Sequence, residues 1–179
     1  MKKVKYLLLS IFFITTFNYG QTFTLKSNDI GGQAIMKQVN KYCGGENISP
    51  QLFWEHAPDS TKSFAVTIHD KDAPTGSGWW HWLVFDIPAS VNELVASAGN
   101  IDTTLAPKGS IQSITSFGKA GYGGPCPPKG HGFHQYLITV YALNTDKLGL
   151  DKNATPAKVG FYLNHSTIQK ASMVMYFKM

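Results

Sequence analysis

Asp70, His81, His134 and Tyr136 carry the groups best suited to chemistry in this chain. A carboxylate beside an imidazole accepts its N–H, fixes the ring's tautomer and favours its charged form. A second imidazole and a phenol add donors for a negatively charged ligand. All 16 basic residues are lysines, so the chain has no guanidinium fork for phosphate or carboxylate. An anion site must then use His, Tyr, Lys or backbone N–H groups, and the N–H groups of Gly123 and Gly124 are the expected loop donors.

Other chemistries are less well supplied. His131 and His134 have a spacing that can ligate zinc, but no third ligand is evident beyond the Asp70 region, so no metal is expected. Gly118-Lys119 lacks the flanking residues of a phosphate-binding loop. No Gly-x-Ser-x-Gly elbow occurs. No nucleophile is evident beside the Asp/His group, so a general-base hydrolase is the lesser reading and no cofactor is expected.

The four side chains can meet only if strands carry them to one place. Ser63–Asp70 alternates with Phe64, Val66, Ile68 and Asp70 on one face. Residues 81–88 read HWLVFDIP, with His81, Leu83, Phe85 and Ile87 in phase. His134–Leu143 places His134, Tyr136, Ile138, Val140 and Ala142 together. Asp70 ends one strand and His81 begins the next, so antiparallel pairing brings them to one end of a sheet. His134 and Tyr136 reach that end if their strand runs parallel to the His81 strand. Weaker strands are expected over residues 22–26, 52–56, 111–115 and 172–178. A helix is expected over residues 156–170, capped by Thr155 with Pro156 at its first position, and a short one near residues 31–41. The fold class is therefore mainly β, with a few short helices. Two loops, residues 70–80 and the Gly/Pro-rich 118–132, are longer than strand connection requires and read as binding loops. Trp79, Trp80 and Trp82 read as core or rim packing, with one free to stack on a ligand.

Composition narrows the function. Hydrophobic residues make up 43% and charged residues 15%, which excludes a disordered chain or a coiled coil. Residues 1–20 read as a secretory signal: Lys2, Lys3 and Lys5 precede an apolar run, and Gly20 offers a cleavage point. The domain then spans residues 21–179, in the periplasm or outside the cell. Its 13 lysines against 11 acidic residues leave a charge of +2, too little for a nucleic-acid protein. No second segment is long enough to act as a membrane anchor. Cys43 and Cys126 are the only cysteines. In an oxidising compartment they are a disulfide candidate, with two half-buried thiols as the alternative.

Three motifs point to a family. They are Asn47-Ile48-Ser49-Pro50 followed by Trp54, the run from Asp70 through Trp79-Trp80-His81-Trp82, and Gly121–Pro128 continued by His134-Gln135-Tyr136. Together they resemble the phosphatidylethanolamine-binding protein family, in particular its bacterial Raf kinase inhibitor-like branch, over about residues 23–177. The resemblance implies a β-sandwich-like fold with a large central antiparallel-rich sheet, a small second sheet and a small pocket at one end. It places Asp70, Asp72, His81, His134 and Tyr136 at that pocket, with the loop residues Gly123, Gly124 and Pro125 beside them. Lys71 stands where the family usually has proline, and Gln135 where it usually has arginine.

The function this implies is an exported, non-enzymatic binding protein for phosphate, phosphoethanolamine-like anions or phospholipid head groups. The family also includes peptidase and kinase-pathway inhibitors. A protein-binding modulator acting through residues 129–133, for example on a peptidase, is therefore the alternative.

Overall fold

The computed structural model describes residues 21–179. The expected signal segment lies outside the described residues. Two sheets and one helix form three layers. The small sheet holds β1 (Thr24–Lys26), β2 (Leu52–Glu55) and β5 (Glu93–Leu94) in the order β1-β2-β5. The large sheet holds β3 (Ser63–Asp70), β4 (Trp79–Pro88), β6 (Ile111–Gln112), β7 (His134–Leu143) and β8 (Thr167–Phe177) in the order β6-β4-β3-β7-β8. Every pairing between these strands is antiparallel.

The large sheet is buried on both faces at its centre. One face carries Phe64, Val66, Ile68, Trp82, Val84, Ile138 and Val140, and packs on Leu25, Leu52, Trp54 and Leu94 of the small sheet and on Phe23 just before it. The other carries Ala65, Leu83 and Phe85, and packs on Val159 and Leu163 of α1 (Pro156–Ser166) and on Leu148 and Leu150. Two apolar faces explain why the middle of β4 shows no polar alternation.

Alternation also breaks inside β4. Phe64 pairs with Ile87 and Val66 with Val84, so β4 spends three steps where β3 spends two. Asp86 takes up the extra residue with φ of 57°. Its carboxylate is occupied by the Leu148 N–H at 2.8 Å. This bulge returns Ile87 to the face of Val84. The phase expected from sequence therefore fails in β4: Leu83 and Phe85 face α1, whereas Ile87 faces the small sheet.

Two helix expectations need correction. Thr155 caps α1 as expected, with its hydroxyl accepting the Lys158 N–H at 3.3 Å. The helix stops at Ser166, not Lys170, because Thr167–Lys170 is taken into the ladder with β7. No helix covers residues 31–41. There the chain runs along the free edge of β8: the Ala34 N–H donates to the Tyr176 carbonyl and the Tyr176 N–H to the Gly32 carbonyl, both at 2.9 Å. A single 3-10 turn, Lys41–Cys43, follows.

That turn carries one end of a disulfide. Cys43 and Cys126 are bonded, with their Cα atoms 5.7 Å apart and a sequence separation of 83. The bond ties the segment after residue 40 to the Gly/Pro-rich loop. Replacing both cysteines by serine should lower the unfolding free energy by about 4 kcal/mol, the loop-closure value for so long a loop. Denaturant melts of the oxidised protein and the double variant check this; superimposable melts would mean that the bond contributes nothing.

Candidate functional site

The site forms where three strands of the large sheet end together. Asp70, the last residue of β3, pairs with Trp79 on β4 and with Tyr136 on β7. β3 is antiparallel to both neighbours, so β4 and β7 run in the same direction and both begin here. Asp70 continues the Ile68 face, and Tyr136 and His134 continue the Ile138 face, as their spacing predicts.

His81 arrives by a different route. Strict alternation would put it with Leu83, under α1. Instead Ile68 pairs with Trp82 and His69 with Trp80, leaving His81 as an extra residue in β4. This second bulge turns its ring to the Trp82 side. The ring lies edge-on to Tyr136, with centroids 5.0 Å apart, and edge-on to Phe117 at 5.3 Å.

The polar atoms are connected in a definite order. His134 Nδ1 donates to Asp70 Oδ2 at 2.7 Å. The other carboxylate oxygen accepts the Asp72 N–H at 2.9 Å. His81 Nδ1 donates to the Gly123 carbonyl. The Tyr136 side chain is fully buried, and its hydroxyl lies near the Asp70 carboxylate without a hydrogen bond of good geometry. A buried hydroxyl left unpaired costs about 1–3 kcal/mol, so it marks a place for a ligand or water. These groups close the bottom of a cavity of about 290 Å³. Trp79, Phe117, Pro127 and Pro128 form apolar walls, and Ala73, Pro74 and Thr75 of the β3–β4 loop complete the rim. No lysine lines it.

Several expected ligand residues serve other purposes. The Gly123 N–H donates to the His81 carbonyl at 2.9 Å, and the Gly124 N–H to Asn47 Oδ1 at 2.7 Å. Neither is free for an anion. Pro125 is buried, and its carbonyl accepts the Asn40 N–H at 3.0 Å. Glycine is needed here for space: a Cβ on Gly124 would stand 2.1 Å from the Gln38 carbonyl oxygen, and one on Gly123 2.4 Å from the Phe117 ring. Asp72 is exposed, and its carboxylate accepts the Gln135 N–H at 2.7 Å. It ties the β3–β4 loop to the start of β7 and does not line the cavity. His131 is exposed and stacks on His134 with centroids 5.9 Å apart. Among the described residues no three His, Cys, Asp or Glu side chains cluster as a metal shell requires.

Sequence reasoning missed Asn47 and Phe117. Asn47 sits at φ of 60°, a conformation that asparagine tolerates, and its amide bridges Gly124 and the Tyr122 carbonyl. Its place in the Asn-Ile-Ser-Pro motif was the available signal. Phe117 had none.

The family model of the phosphatidylethanolamine-binding proteins matches residues 15–178. The chain belongs to the phosphatidylethanolamine-binding protein family. Among its relatives, YbcL of Escherichia coli K12 is 47% identical over 165 residues, covering 90% of each chain. YbhB of the same organism is 45% identical over 133 residues, covering 74% of this chain and 83% of that one. The crystal structure of E. coli YbcL, described as a new member of the mammalian PEBP family, superposes with a TM-score of 0.85 at 46% identity. That match covers 88% of this chain and 98% of the other. CT736 of Chlamydia trachomatis, at 24% identity, shares the fold with a TM-score of 0.73.

In this family member, burial decides the charge of His81. Loss of water pushes its pKa from 6.5 down to about 4; the Gly123 carbonyl and the Asp70 charge pull it back only in part. The Asp70 carboxylate pairs with His134 and does not outweigh burial at His81. Tyr136 is pushed upward by burial first and by the Asp70 charge second. The sign of the pH effect follows. Between pH 6.5 and about 4 the unfolded chain binds a proton at His81 that the folded chain refuses, so stability falls as pH falls. The loss should total about 3 kcal/mol. NMR titration of the folded protein should show the His81 ring neutral until pH nears 4; a midpoint near 6.5 would contradict it.

Proposed function

We propose that this protein is an exported, non-enzymatic binding protein whose pocket takes small phosphate-type anions, free or as a phospholipid head group. The observation that carries this is the unpartnered Tyr136 hydroxyl, at the floor of a small apolar-walled cavity shared with His81 and His134. The hydroxyl donates one hydrogen bond to the anion. Asp70 holds His134 Nδ1, which leaves Nε2 as the polar atom of that ring not engaged by the carboxylate. Family membership supports a ligand-binding role of this kind.

Binding without turnover fits the nucleophiles at hand. Cys126 is locked in the disulfide. The Thr75 hydroxyl donates to the Gly78 carbonyl at 2.6 Å. Export is supported by the amino-terminal pattern and by the disulfide, which persists in oxidising compartments.

With no lysine or guanidinium clamp, affinity should be weak, with Kd about 0.1–1 mM, or about −5 kcal/mol. Titration with phosphate and with phosphoethanolamine, followed by NMR, should move the His81 and His134 signals. Tyr136→Phe should weaken binding about tenfold, the worth of one hydrogen bond. Unmoved histidine signals at ligand concentrations on the order of tens of millimolar, far above the expected Kd, would reject the anion site.

The exposed Phe133 favours a second reading, a modulator that meets a protein such as a peptidase through residues 129–133. A captured partner that survives His134→Ala but is lost on shortening this turn would support that reading over the first.

A further inference from the structure

The neutral ring of His81 has one tautomer open to it. A carbonyl oxygen only accepts, so the contact with Gly123 keeps the hydrogen on Nδ1. The neutral ring then turns a lone pair, not an N–H, away from Gly123. The ring lines the cavity, where an anion would also offer lone pairs. Ordinary dianion binding would set the two against each other.

The surroundings offer little relief. From β3, Asp70 brings the negative charge nearest to this ring, while His69 stacks on Trp80, on the opposite side of the sheet. From β7 come His134, already tied to Asp70, and the Tyr136 phenol. The loop presents the Phe117 ring and the Gly123 and Gly124 carbonyls, and β4 contributes Trp79.

Building on the anion-site reading, we propose that the pocket selects oxyanions that bring their own acidic hydrogen, namely singly charged phosphomonoesters and the phosphate monoanion. His81 Nε2 accepts the P–OH, while Tyr136 donates to an ionised oxygen. A fully ionised monoester lacks that hydrogen, and a phosphodiester lacks it at every pH. The route in which His81 itself takes up the proton is opposed by the burial that lowers its basicity. His81 is thus a specificity-determining residue of the site.

Ethyl phosphate and dimethyl phosphate are isomers of equal composition, and only the first carries a P–OH. At about pH 5, below the second phosphate pKa of about 6, both are monoanions. Ethyl phosphate should bind the wild-type protein at least about tenfold more tightly, the worth of one buried hydrogen bond. Its affinity should fall by about tenfold per pH unit above that pKa, as the P–OH is lost. Nitrogen-15 NMR of the free protein near neutral pH should show His81 Nδ1 protonated and Nε2 bare. His81→Gln, whose amide can donate, should narrow the preference towards unity. Equal binding of the isomers, undiminished binding of the dianion, or a protonated Nε2 in the free protein would overturn the proposal while leaving the anion site standing. Binding of neither isomer, nor of inorganic phosphate, at any pH would overturn both.

Discussion

The position of the His81 ring depends on a single surplus residue in β4. β3 and β4 are otherwise in register at their shared end, with Asp70 against Trp79. Without the surplus residue, the imidazole would sit beneath α1 among Leu83 and Phe85. With it, the ring crosses to the face of Asp70 and Tyr136. The sheet is buried on both faces, so each face could have swallowed this side chain. The Gly123 carbonyl holds the choice in place, because a buried ring nitrogen needs a partner. The Gly/Pro-rich loop is fixed in turn by Asn47, by Asn40 and by the disulfide. A backbone irregularity in one strand and a clamped loop on the other side therefore define one imidazole between them.

The same enclosure sets the chemistry. Apolar walls strengthen each hydrogen bond within the cavity and also make every uncompensated charge costly. The site answers with one carboxylate already spoken for on both oxygens, by His134 and by the Asp72 N–H. What remains on offer is a phenol hydrogen and the Nε2 positions of two rings. No lysine stands among the lining residues, so the polar groups of this cavity are carried by rings and a carboxylate held in place by the strands.

Much of this arrangement was legible in the amino-acid sequence, though not always for the right reason. The alternation of β3 and β7 placed Asp70, His134 and Tyr136 correctly, because those strands carry the core on one face through to their ends. In β4 the same reasoning put His81 on the core-facing side by grouping it with Leu83 and Phe85, which in fact face α1. Two buried faces concealed the mistake, since every residue in the middle of β4 is apolar. A bulge leaves no mark on composition: Asp86 takes its left-handed conformation without a glycine to announce it. The loop glycines were misread for a related reason. Glycine before proline in a binding loop suggests free N–H donors, whereas here it reflects close approach of backbone and an aromatic ring. The helix was overextended because Thr167–Lys170 has no local signal against helix, and only pairing with β7 ends it.

The two departures from the family pattern can be judged on the same geometry. Lys71 is exposed, and Gln135 is half-buried between His134 and Tyr136 in sequence, so its side chain lies on the opposite face of β7. What the site takes from these positions is backbone. The Lys71 N–H donates to the Gln135 carbonyl at 3.3 Å, and the Gln135 N–H donates to Asp72 at 2.7 Å. This pair of bonds carries the β3–β7 pairing one step past Asp70 and ties the β3–β4 loop to the start of β7. A proline at position 71 would have no N–H for the first bond, so lysine here allows a tie that the usual residue forbids. An arginine at 135 would project away from Tyr136 as the glutamine does. The pocket floor is therefore insulated from both changes by the alternation of a strand, and its chemistry follows from the four side chains that face inward.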